Sequence, residues 1–66
     1  MFRVYVAYWP ADGSMCRDFC SRPLSSREDA WGFVRRVRAR AAAAGIELMG
    51  IEVWRDRTRV WFDGEV

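Results

Sequence analysis

Apolar and polar positions alternate without a break from Phe2 to Trp9. Phe2, Val4, Val6 and Tyr8 share one face, and Arg3, Tyr5, Ala7 and Trp9 share the other. A period of two in a run rich in β-branched and aromatic residues predicts a strand. Its second face is also fairly apolar, which suits a central position in a sheet. Pro10-Ala11-Asp12-Gly13 then supplies turn chemistry, with Pro presetting φ and Gly tolerating positive φ. The turn predicts a hairpin into a second strand over residues 14–20, SMCRDFC, polar enough for a sheet edge. The Met15/Phe19 and Cys16/Cys20 spacings in this segment also fit a single helical turn.

The period changes after Pro23. Ser25 with Glu28, or Ser26 with Asp29, has capping-box spacing, and the acids sit where the helix dipole favours them. Phe33, Ala44, Val37, Ala30, Ala41 and Val34 fall within a stripe ~100° wide on a helical wheel, the width of a buried face. Ala41 to Ala44 are strong helix formers, and Gly45 is placed to end the helix in the left-handed conformation. Residues 46–55 return to a strand pattern whose phase shifts partway: Ile46 and Leu48 share one parity, Ile51 and Val53 the other. Gly50 lies at the switch, so a β-bulge near Met49-Gly50 would bring all four to the core. Asp56-Arg57 makes a two-residue turn into a last strand over residues 58–63. Regular pairing then sets Val53 against Val60, Trp54 against Arg59 and Glu52 against Trp61.

These elements predict one α+β domain over residues 1–66, in the order ββαββ, with no repeat or linker. The expected sheet is four-stranded and antiparallel, in the order 2-1-3-4, with one helix packed on one face. A crossover through the helix makes strands two and three parallel and leaves room for strand one between them.

Composition sharpens the picture in three ways. Sixty-six residues are near the lower limit for folding without staples, and the chain answers with four Trp, four Phe and two Tyr within a 52% hydrophobic total. That excludes a disordered segment and puts some large rings at a surface. All eleven cations are Arg, with a net charge of only +2. Arg presents a planar fork suited to carboxylates, phosphates and aromatic contacts. With neither His nor Lys, and no phosphate loop or nucleophile elbow, the sequence reads as non-enzymatic and without a cofactor. Cys16 and Cys20 supply two soft ligands where a structural zinc needs four, so no metal is expected. On a strand their Cα atoms would be ~13 Å apart, beyond the ~7 Å limit for a disulfide. No segment approaches ~18 apolar residues and the N-terminus lacks a secretory pattern, so a cytoplasmic protein with no membrane contact is expected.

Two surfaces stand out. If Val4, Val6, Val53, Val60 and Phe62 face the helix, then Tyr5, Trp9, Trp54 and Trp61 face away, with Arg3 and Arg59 among them. Such a mix is what binding hot spots are made of. The plainer reading is stacking within the monomer, such as Arg59 on Trp54, or burial in a homodimer. The helix exterior carries Arg35, Arg36, Arg38 and Arg40 with no acid between Ala30 and Ile46. Its plainer reading is a solvated face favoured by the dipole; its functional reading is a patch for an anionic partner.

The expected function is therefore protein binding through these two faces by a small cytoplasmic domain. Small stand-alone phage or mobile-element inhibitors, anti-CRISPR proteins among them, act in this way, and the target would be a larger, nucleic-acid-handling complex. The alternatives are a single-stranded nucleic-acid-binding domain, with bases stacked on the rings, or a homodimerisation module. The modest charge, with Glu52 and Asp63 expected on the aromatic face, counts against nucleic acid.

Overall fold

Alternation in the first residues becomes β1 (Phe2–Trp9), followed by β2 (Arg17–Cys20), α1 (Arg27–Ala44), β3 (Glu47–Arg55) and β4 (Thr58–Gly64) in a computed structural model that describes residues 1–64. The sheet order is β2-β1-β3-β4 with every neighbouring pair antiparallel, and α1 packs against β1 and β3. This is the expected α+β arrangement. Between them lie Val4, Val6, Ala30, Val34, Ile51 and Val53, all essentially inaccessible to solvent. At roughly 25 cal/mol per Å² of apolar area, each of the larger members contributes about 1.5–3 kcal/mol.

The helix starts and stops as its sequence dictates. Ser26 has extended backbone and its Oγ accepts from the Asp29 amide at 3.1 Å. Gly45 closes the last turn at φ 69°, where any side chain would be strained.

β2 is shorter than the sequence suggests. Residues 14–16 form no strand, because Asp12 Oδ1 takes the Ser14 amide at 2.9 Å and holds the chain in the turn. Cys16 therefore precedes the strand rather than lying on it. The chain continues along β1 past Cys20 through a side-chain device. Ser21 donates its amide to the Val4 carbonyl, while its buried Oγ accepts from the Val4 amide at 2.9 Å and donates to the Arg22 carbonyl. Leu24 then exchanges two backbone hydrogen bonds with Phe2 at 2.8 Å.

Two bulges set the faces of the sheet. In β3 the register with β1 shifts at Met49, between Ala7/Gly50 and Tyr8/Leu48. Leu48 thereby stays on the side of Ile51 and Val53, as the parity switch at Gly50 predicts. The second bulge lies in β4, where Trp54 pairs with Arg59 but Val53 pairs with Trp61. Val60 is the extra residue. Its insertion reverses the phase of everything after it, so the regular register expected from the two-residue turn holds only at Thr58 and Arg59. Trp61 turns to the helix side and meets Trp31 edge-on at 4.8 Å between ring centroids. Phe62 takes the outward position opposite Glu52. Asp63, expected outward, turns inward to the helix and pairs with Arg38.

Candidate functional site

The face of the sheet away from α1 is assembled from residues of one parity in β1 and β2, and of a parity that switches at the bulge in β3 and in β4. Cross-strand pairs place Arg3 beside Trp54, Tyr5 between Cys20 and Glu52, Ala7 between Asp18 and Gly50, and Trp9 opposite Glu47. β4 adds Arg59 opposite Trp54 and Phe62 opposite Glu52. No element of the described residues covers this face. Tyr5, Trp9 and Phe62 retain 39%, 44% and 42% of their accessible surface. Isolated exposed rings need no explanation, but these share one face with Trp54.

The face has internal order. Tyr5 and Trp54 meet edge-on at 6.2 Å. The Arg59 guanidinium lies 5.0 Å from the centre of the Phe62 ring and donates to Glu52 Oε1 at 3.1 Å. These contacts fix the rings at a cost in side-chain entropy already met by the free protein, so less is left to lose on binding. Between Tyr5 and Phe62 the floor drops to Ala7 and Gly50, which opens a groove of about 370 Å³ rimmed by Asp18, Cys20 and Glu52. The Cys20 thiol, opposite Tyr5, raises the Tyr5 phenol above its ordinary pKa, by hydrogen bonding first and by charge second; Arg3 pulls weakly the other way.

The sequence-predicted residues divide as follows. Arg3, Tyr5, Trp9, Trp54 and Arg59 lie together on the outer face. Trp61 does not: it belongs to the hydrophobic layer under Trp31, with Arg38 over its ring at 5.5 Å. Phe62 was missed, because its outward position depends on the Val60 bulge. A β-branched residue between two polar-parity neighbours gives no sign of such a bulge, unlike the Gly50 that marks the other one. On the helix, Arg35, Arg36, Arg38 and Arg40 are all exposed. Only Arg38 makes a salt bridge among the described residues.

Cys16 and Cys20 are both free and exposed. Among the described residues, no three His, Cys, Asp or Glu side chains gather as a metal site would need. No helix among them is long and apolar enough to cross a membrane. Comparison with known proteins finds no match: no family model, no curated protein and no solved structure matches this chain.

Proposed function

We propose that the protein binds a protein partner through its outer sheet face, and that it acts as a non-enzymatic inhibitor or adaptor of a larger complex. The observation that carries this reading is the pairing of uncovered rings with balanced charge. Two cations, Arg3 and Arg59, share the face with three acids, Asp18, Glu47 and Glu52, and Arg59 is already bonded to Glu52. A single-strand platform combines stacking rings with a cationic track for phosphates. Here the phosphates would meet more carboxylates than free guanidinia. A protein surface of mixed charge, with an apolar side chain to fill the groove over Ala7 and Gly50, suits the face better.

The experiment is affinity capture from cell lysate, with and without nuclease, using wild type and a Tyr5→Ala/Trp54→Ala double variant. The expected result is a captured protein that survives nuclease and is lost in the folded double variant. Capture abolished by nuclease would transfer the face to single-stranded nucleic acid. A wild-type chain that sediments as a dimer, and as a monomer once Tyr5 and Trp54 are truncated, would assign the face to self-association.

A further inference from the structure

A second surface lies on the opposite side of the molecule. α1 packs on β1 and β3, so the helix-side residues of β2 lie beyond its edge. Phe19 is one of them, opposite Val6, and it remains 42% exposed although Tyr8 and Phe33 meet it edge-on at 5.9 and 6.4 Å. Behind Phe19 a groove of about 210 Å³ runs toward the end of the helix. Tyr8, Val37, Ala41, Ile46 and Leu48 make its apolar lining, and Arg40 is the charged residue on its wall. Arg36 lies one turn before Arg40 on the same helix row. These two like charges repel at i,i+4 spacing, and neither has an ion-pair partner among the described residues. The acid that does reach the helix, Asp63, is held by Arg38 on the β4 side. Arg17, opposite Tyr8 at the mouth of β2, adds a further cation, which Asp12 partly offsets.

We propose that this groove docks an acidic amphipathic segment of a protein partner. Apolar side chains of the segment enter between Phe19 and Leu48, and its carboxylates take the guanidinium forks of Arg36 and Arg40. Binding then removes apolar surface from water and relieves the Arg36/Arg40 repulsion together. The apolar lining argues for a peptide over a nucleic acid, since Val37, Ala41, Ile46 and Leu48 offer phosphates nothing. Phe19 and Tyr8 are also turned edge-on to each other rather than presented flat for stacking. The surface is on the far side of the sheet from Tyr5 and Trp54 and does not rest on the reading of that face.

The test is fluorescence anisotropy with a panel of labelled ~16-residue amphipathic peptides, each pairing a Leu/Ile/Phe stripe with Glu flanks. Scrambled-order peptides, Gln-for-Glu peptides and a labelled oligo-dT are the comparison probes. The expected result is binding in the micromolar range at ~50 mM salt, weakened about tenfold or more by Phe19→Ala and by Arg36→Glu/Arg40→Glu. Tyr5→Ala/Trp54→Ala is expected to bind as wild type. Amide chemical-shift changes on adding peptide should centre on Phe19, Val37, Arg40 and Leu48, which keeps the test independent of how any variant folds. No binding by the panel, equal binding of scrambled or Gln peptides, shifts centred on the outer face, or preferential binding of oligo-dT would each overturn the proposal.

Discussion

Trp54 and Trp61 have the same residue type and opposite roles. Trp61 packs between Trp31 and Arg38 against the core, whereas Trp54 contributes mainly an edge contact with Tyr5 on an open face. Trp61→Ala is therefore expected to destabilise by about 2–3 kcal/mol, as truncation of a packed ring does. Trp54→Ala should cost about 1 kcal/mol, the worth of one aromatic pair. Urea unfolding of the two variants checks this; equal costs would place both rings on the same face. Ser21 offers a second residue-scale test. Replacing it by Ala removes the acceptor for the Val4 amide, and a buried donor left unpaired costs about 1–3 kcal/mol. If Ser21→Ala unfolds at the wild-type denaturant concentration, water has replaced the hydroxyl and the strand extension does not depend on it. Residues such as Val4, Val6, Ile51 and Val53 were legible in the sequence because burial imposes a period. Ser21 was not, since one hydroxyl that completes a strand ladder leaves no periodic trace.

The elements divide in the same way. The helix was readable to within one residue at its start, where Ser25 and Ser26 both had capping spacing and the structure selects Ser26, and at its end, where Gly45 has the chemistry of a left-handed cap. The bulge at Met49 was readable because Gly50 and the parity switch occur together. The bulge at Val60 has neither signal, and missing it exchanged Trp61 with Phe62. Gly64 shows how tightly β3 and β4 are drawn together beyond that bulge. A Cβ there would stand 2.9 Å from the Met49 carbonyl oxygen and 3.0 Å from Gly50 Cα, whereas a Cβ on Gly50 meets only ordinary contacts at 3.6 Å. Gly64→Ala should consequently lower the melting temperature while Gly50→Ala leaves it nearly unchanged, as differential scanning fluorimetry would read; the reverse order would refute the close approach of the strands. The first turn supplies a pH test. Hydrogen bonding from Ser14, whose amide donates to Oδ1, holds the Asp12 carboxyl below its ordinary pKa. A depressed native pKa contributes stability that is present above the unfolded value and is lost as pH falls through the native one. The stability gap between wild type and Asp12→Ala should accordingly be constant near neutrality and close below about pH 4. A gap that widens on acidification would contradict the bond.

At the scale of the whole molecule, the sheet separates two surfaces of different charge. The outer face holds Arg3 and Arg59 against three acids, while α1 from Arg35 onward carries only Arg, with one of the four neutralised by Asp63. A net charge of +2 conceals this division, and the unmarked bulge at Val60 put Asp63 on the wrong side of it. The sheet order follows from the helix crossover, which makes strands two and three parallel and leaves room between them for strand one. Arg36 and Arg40 both lie off the buried stripe and are exposed, so Arg36→Glu/Arg40→Glu should change stability by about 0.5 kcal/mol at most, a melting-temperature shift of no more than about 2–4 °C. A larger loss would show the cations to be structural. The central claim is that uncovered rings, rather than a cationic track, give the outer face its partner. Its most direct test is the affinity of the captured partner measured from ~50 to ~500 mM salt, for wild type and for Tyr5→Ala/Trp54→Ala. The expected result is a change of less than about threefold across the salt series, with a loss of about thirtyfold or more in the double variant. A fall of several decades with salt, the signature of counterion release from phosphates, or a double variant that binds like wild type, would contradict it.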